Sequence, residues 1–341
     1  MRDFACPNCG QRLAFENSLC LSCGSAIGFG SRMLDFEVLA ADGTAVGDGQ
    51  TSKMCANLNR IGCNWLAAVD EPGGFCFSCR LTRTVPAATD PVANAEFAEA
   101  ETAKRRLLVE LLELQLPING RDVEPVRGLC FDLLSSARTQ VMTGHDEGVI
   151  TLDLAEGNDL HRERLRVSMG EPYRTLLGHF RHEIGHYYYL VLAETGQARA
   201  DFDELFGDPD ADYQQALDRH YSEGAPAGWE ADFVSSYATM HPAEDWAETF
   251  AHYLHIRDTI DTAAAFGFAP SGAAMDRRLP GDAGFSRMIE LWLPLSWALN
   301  MINRSMGHRD LYPFVLAGPV LDKMRLVHRL VTEQADRRPA Q

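Results

Sequence analysis

The chain has no histidine before His145, only one cysteine after Cys79, no surplus of basic charge and no apolar run long enough to span a bilayer. Without such a run the expectation is a soluble protein with no membrane partner. The opening Met1-Arg2-Asp3-Phe4-Ala5-Cys6-Pro7 lacks the apolar core of a secretory segment, so the expectation is a cytoplasmic protein with reduced thiols and no disulfide framework. Lys and Arg number 31 against 48 Asp and Glu, a formal net charge of −17, and the first 83 residues hold seven basic against eight acidic side chains. Phosphate binding has little electrostatic drive on such a chain, which disfavours nucleic acid as a partner. The lack of histidine at the front means that any metal there is held by thiolates. At 341 residues the chain can build one sizeable domain and a small one.

The most informative stretch is His182-Glu183-Ile184-Gly185-His186. On an α-helix of about 100° per residue, two histidines four apart lie about 40° from each other and can reach one metal ion. Glu183 sits beside them, outside the ligand shell, where its carboxylate can take a proton from a water polarised by zinc. The flanks are apolar and aromatic, including Phe180 and Tyr187-Tyr188-Tyr189, which predicts a buried helix, with Pro172 suited to its first position. Gly185 costs about 1 kcal/mol in mid-helix relative to Ala, so something is expected to pack closely on it.

Catalytic zinc sites use three protein ligands, and the third lies elsewhere. A metzincin would have glycine and histidine at the third and sixth positions after the motif, where this chain has Tyr189 and Leu192, so that class is excluded. Cys130 lies in an apolar stretch and reads as core. Downstream, Pro242 opens a second helix on which Glu244 and Glu248 share a face while Trp246, Phe250, Tyr253 and Leu254 form the apolar stripe. Glu244 is the expected third ligand, with Glu248 orienting a ligand histidine through its other ring nitrogen; the reverse assignment is the alternative. His252 and His255, on the same helix, read as core or surface residues. Tyr237 is a candidate donor to the oxyanion of a peptidase transition state.

Eight of the nine cysteines lie at or before Cys79. Cys6-x-x-Cys9 and Cys20-x-x-Cys23 have the spacing of one tetrahedral zinc held by four thiolates, with Gly10 and Gly24 permitting the turn after each pair. Cys55, Cys63, Cys76 and Cys79 make a second, less regular set. One or two structural zinc ions are therefore expected here, besides the catalytic one. Closed four-thiolate sites stabilise structure and leave no place for substrate, so a protein-contact or intramolecular role is expected for this region.

Thr84 to Pro91 reads as a linker, followed by a helix from about Ala95 to Gln115 with Leu107, Leu108, Leu111 and Leu112 inside. The runs Leu129–Leu134 and Val149–Leu154 read as strands, the second a candidate edge for an extended peptide, with an internal strand as the alternative. The acidic stretch Asp201 to Asp212 lacks the spacing of an EF-hand and reads as a solvated loop or lid. Phe285 to Met306 reads as a helix with Trp292, Leu295, Trp297 and Leu299 in the core and a kink at Pro294, and the residues from Asp336 read as a frayed tail.

The segments RHEIGHYYY and HPAEDWAETFAHYLHI, residues 181–189 and 241–256, make the chain resemble the bacterial zinc-binding metallopeptidases that carry a zinc ribbon in front. The resemblance covers nearly the whole chain. It implies His182 and His186 as ligands, Glu183 as base, and an acidic ligand from Glu244 or Glu248, but says little about the target. The expected fold is α+β, a mainly helical zincin-like domain over 95–341 behind a four-cysteine zinc-ribbon region at 1–83 and a linker at 84–94. The expected function is zinc-dependent hydrolysis of peptide or protein substrates, the rivals being a catalytically silent zinc-stabilised interaction module or nucleic-acid binding.

Overall fold

The structure is a computed structural model that describes residues 2–47, 49–137, 141–157, 175–268 and 279–337. The fold is mixed α+β, in two compact units: Met1–Glu113 with Pro117–Arg162, and Leu114–Leu116 with Glu163–Gln341. No helix among the described residues is long and apolar enough to cross a membrane.

The first unit begins with short antiparallel ribbons. Strands β1 (Phe4–Ala5) and β2 (Arg12–Leu13) pair, as do β3 (Ile27–Gly30) and β4 (Asp35–Val38), and β5 (Thr44–Gly47), β6 (Gln50–Met54) and β7 (Leu66–Ala68) form a three-stranded sheet. Between them, Phe4, Phe15, Phe29, Phe36 and Trp65 are buried with neighbouring ring centroids 5.0–5.9 Å apart. That aromatic cluster is small, and a region of this size gains from metal cross-links. Gly10 and Gly24 have φ of +74° and +72°, and their N–H groups donate to Cys6 O and Cys20 O, closing the turn that brings each cysteine pair together.

Helices α1 (Leu58–Ile61) and α2 (Phe77–Arg80) and strand β8 (Thr82–Thr84) lead to α3 (Pro91–Glu113). Helix α3 starts four residues before its expected start because Asp90 accepts from Ala93 N at 3.0 Å and Pro91 follows it at the first helical position. Leu107, Leu108 and Leu111 are buried as expected, Leu112 half-buried. Lys104 is buried too: its ammonium donates to Ser78 O at 3.0 Å and pairs with Glu101 at 2.6 Å. Strands β9 (Cys130–Leu134), β10 (Gly144–Asp146) and β11 (Val149–Asp153) complete a sheet of order β10-β11-β9-β8, with β9 parallel to both neighbours. Cys130 is buried in it. The expectation of an edge at Val149–Leu154 is corrected: β11 is internal. Glu147 and Gly148 both take positive φ, 43° and 83°, and this mirror-type turn folds β10 back onto the side that an edge would leave open.

In the second unit, α4 (Leu176–Tyr188) is capped by Thr175, whose hydroxyl accepts from Gly178 N at 3.0 Å. The expected start at Pro172 lies outside the described residues. A π-helical turn, Tyr189–Ala193, connects α4 to α5 (Gly196–Phe206). The acidic stretch is thus not a loop throughout: Asp201 to Phe206 is helical because Phe202 and Phe206, four apart, are buried, while Arg199 pairs with Asp203 and Asp210. Helix α6 (Tyr213–Glu223) follows, then α7 (Pro242–Ala265), opened by Pro242 as expected. Trp246, Phe250, Tyr253 and Leu254 of α7 are fully buried, with Trp246 donating to Gly185 O of α4 at 2.9 Å.

Helix α8 (Gly281–Ser305) runs through Pro294, and α9 (Gly318–Arg337) closes the unit; residues 338–341 of the expected tail lie outside the described residues. Trp292 and Leu295 are core, Leu299 half-buried, but Trp297 is 68% exposed, correcting its assignment to the core. Five residues on from Trp292, it lies about 140° around the helix, on the far side from the stripe that Trp292 and Leu295 share.

Candidate active site and metal centres

Helices α4 and α7 cross where Gly185 has no side chain. A Cβ there would lie 2.9 Å from Ala247 Cα and 3.1 Å from Ala247 O, so only glycine allows this approach, as the mid-helix position predicted. The close crossing sets His182 and His186, one turn apart on α4, against Glu244 and Glu248, one turn apart on α7.

His182 Nδ1 lies 2.7 Å from Glu248 Oε1. An ionised carboxylate only accepts, so Nδ1 carries the proton, and in the neutral ring Nε2 is then a bare lone pair. That Nε2 is 2.9 Å from Glu244 Oε2 and 3.2 Å from His186 Nε2, while His186 Nε2 is 3.5 Å from the same oxygen. Electron-rich atoms converging in this way repel one another unless a positive charge, a proton on Nε2 or a metal ion, lies among them. Ligands about 2.0–2.1 Å from a tetrahedral zinc are about 3.3–3.4 Å apart, and the three observed edges straddle that value. Glu248 stands outside this triangle, on the opposite ring nitrogen.

The electrostatics point the same way. Burial alone would depress the His182 imidazole, but Glu244 and Glu248 outweigh it and hold its pKa well above the usual value. Burial would raise the Glu244 carboxyl, yet the two histidines hold it well below the carboxylate range. Both effects are signs of a pocket that demands positive charge. Burial pushes the Glu183 carboxyl up, with His182 and His186 opposing, and its Oε2 is buried with no hydrogen-bond partner. An acceptor in that state is ready for a proton.

Tyr237 lies in a 3-10 turn, Tyr237–Thr239, with its ring centroid 5.9 Å from that of His182. Burial raises the pKa of its phenol and of the Tyr213 phenol. Tyr213 is a site residue that the sequence reading missed: its hydroxyl donates to Glu244 Oε1 at 2.9 Å from 31 positions away. No spacing or motif marks it. Asp245 pairs with Lys323 at 2.6 Å and faces away from the triangle. His252 is buried and hydrogen-bonds Tyr312, and His255, half-buried, packs on Trp292; both stand apart from the ligand group.

Both sets of front-end cysteines are gathered. Sγ atoms of Cys6 and Cys23 are 3.8 Å apart and those of Cys9 and Cys20 3.7 Å; in the second set Cys55–Cys79 and Cys63–Cys76 are 3.6 Å and Cys63–Cys79 3.7 Å. Thiolates about 2.3 Å from a tetrahedral zinc are about 3.8 Å apart, so each set fits that ion. The second set is fully buried, whereas Cys9 and Cys23 of the first face solvent.

Residues 93–330 match the sequence model of the family described as "Putative zinc-binding metallo-peptidase". The chain belongs to this metallopeptidase family. Its front end, residues 3–90, matches a zinc-ribbon domain. The metallopeptidase match contains His182, Glu183, His186, Tyr213, Tyr237, Glu244 and Glu248; the ribbon match contains all eight clustered cysteines. Uncharacterized proteins of Mycobacterium bovis and Mycobacterium tuberculosis are each 62% identical to the chain over 336 residues, covering 98% of it and 96% of their own length. No solved structure matches the chain. Family membership and the cysteine clusters together make this a zinc-binding protein.

Proposed function

We propose that the protein is a zinc-dependent metallopeptidase that hydrolyses peptide bonds in a peptide or protein substrate. The observation that carries the reading is the convergence of His182 Nε2, His186 Nε2 and Glu244 Oε2, next in sequence to Glu183, whose Oε2 is buried without a hydrogen-bond partner. These three residues would hold one zinc, which supplies Lewis acidity to the scissile carbonyl and lowers the pKa of water to about 7. Glu183 is the base: its carboxylate accepts a proton from the attacking water and returns it to the departing amine nitrogen, so no net proton is consumed. Glu248 keeps the His182 proton on Nδ1 and thereby the lone pair on Nε2. Tyr237, whose ring lies beside that of His182, is the donor to the developing oxyanion.

The two thiolate sets each take a further zinc, with a structural role. Nine cysteines outside any disulfide suit a reducing compartment, the cytoplasm. The front end has no surplus of basic side chains, which favours contact with protein over nucleic acid.

The test is Glu183→Gln, which removes the base and keeps the ligands. Against a degenerate peptide library read by mass spectrometry, turnover should fall by about 10²–10⁴-fold while bound zinc is unchanged. Cleavage that persists at the parent rate removes Glu183 as base; a library without any Glu183-dependent cleavage favours a non-catalytic interaction module.

A further inference from the structure

Helix α6 is mostly exposed, but its first residue reaches the metal site. The helix start is fixed twice. Asp212 accepts from Gln215 N at 3.0 Å, and His241 Nε2 contacts Ala211 O at 3.0 Å while His241 Nδ1 accepts from Ala243 N at 3.1 Å. A ring that accepts at Nδ1 carries its proton on Nε2, so His241 donates to Ala211 O and ties the start of α6 to the start of α7. The Tyr213 ring packs on His241 at 5.2 Å between centroids, and its hydroxyl lies 2.9 Å from Glu244 Oε1.

The phenol has one O–H and an ionised Glu244 has none, so Tyr213 donates its proton to Glu244 Oε1. Oε1 is thereby occupied, and Oε2 remains as the single carboxylate atom facing the two histidine nitrogens.

We infer that Tyr213 is a positioning residue: it holds Glu244 by Oε1 so that the carboxylate offers a metal only Oε2. This rests on the reading of Glu244 as a ligand. Tyr213 acts through Glu244 and is not itself one of the converging ligand groups.

The experiment uses full-length protein loaded with zinc, and measures zinc retained per chain during graded chelation, with melting of the zinc-loaded and zinc-stripped forms. The third-site zinc is defined as the fraction absent from Glu244→Ala. Tyr213→Phe keeps the ring and its packing on His241. It should weaken third-site zinc by about 10–100-fold, the usual effect of losing a group that orients a ligand. The zinc-dependent rise in Tm should shrink accordingly, while the stripped protein melts as the parent does. Unchanged third-site affinity in Tyr213→Phe overturns the inference. So does an equal loss of Tm in stripped and loaded forms, which marks a purely structural tyrosine. If Glu244→Ala retains as much zinc as the parent, the ligand reading itself fails, an outcome distinct from both. None of these readouts depends on peptide hydrolysis.

Discussion

At the scale of single residues, the Glu248–His182 contact decides which carboxylate does what. Two glutamates four apart on one helix face were legible from spacing, as were the paired histidines and the glutamate between them; the division of labour reads with Glu244 as ligand and Glu248 behind a histidine, the reverse standing as the alternative. It depends on which ring nitrogen each carboxylate meets, and that follows from the angle at which α4 and α7 cross. Glu248 meets Nδ1 at 2.7 Å, Glu244 the Nε2 side at 2.9 Å. Removing Glu248 should therefore free the His182 tautomer without removing a ligand. Glu248→Ala is expected to weaken third-site zinc by about 10–100-fold. Glu248→Gln, which still presents an oxygen to Nδ1–H but no charge, should lose less. Competition with a fluorescent chelator gives both values, and equal losses in the two variants would show that the acceptor atom is irrelevant. Tyr213 was not legible at all, because a hydroxyl brought from a separate helix leaves no periodic trace.

At the scale of elements, the site depends on how closely α4 and α7 pack. Gly185→Ala sets two known effects against each other. Ala gains about 1 kcal/mol of helix propensity, whereas forcing a methyl into a filled space costs about 1–3 kcal/mol. The obstruction here is backbone, Ala247 Cα at 2.9 Å and O at 3.1 Å, which cannot rotate aside. The clash should win, lowering stability by about 1–2 kcal/mol in urea unfolding, and third-site zinc should weaken because the helices that carry its ligands are pushed apart. An alanine variant as stable as the parent with unaltered zinc binding would mean that the crossing has slack. Sequence made this contact visible because glycine in a helix needs a reason. It also made α7 visible through its 3.6-residue stripe and its proline. It was less informative where apolar residues are numerous without being periodic: Trp297 sits among core neighbours in sequence but on the opposite face of α8. The start of α3 was missed because Asp90-Pro91 reads as well for a turn as for a helix cap, and β11 was open between edge and interior because a strand's neighbours lie elsewhere in the chain.

At the scale of the molecule, the two units are held together by different chemistry. The first has a small aromatic core beside two thiolate sets; the second has a large helical core that contains histidines with no metal role. Those histidines give it a predictable response to acid. Burial depresses His252 to about 4 and His255 to about 3, and burial with the Arg257 charge depresses His328 to about 4. Both ring nitrogens of His328 are satisfied in the neutral form, Nε2 donating to Leu279 O at 2.9 Å and Nδ1 accepting from the Tyr253 hydroxyl at 3.2 Å. In the unfolded chain such rings titrate near 6.5. As pH falls below about 6.5, the unfolded state binds protons that the folded state refuses, so stability declines until the folded values are reached. Each such ring contributes about 1.4 kcal/mol per pH unit over that window. The comparison is between the parent and His328→Gln at the same zinc concentration. Chemical unfolding at intervals from pH 7 to 4.5 should give the variant lower stability at neutral pH but a shallower slope, by about one proton. Parallel curves for the two proteins would mean that His328 can be protonated in place, and that its buried hydrogen bonds do not exclude the charge.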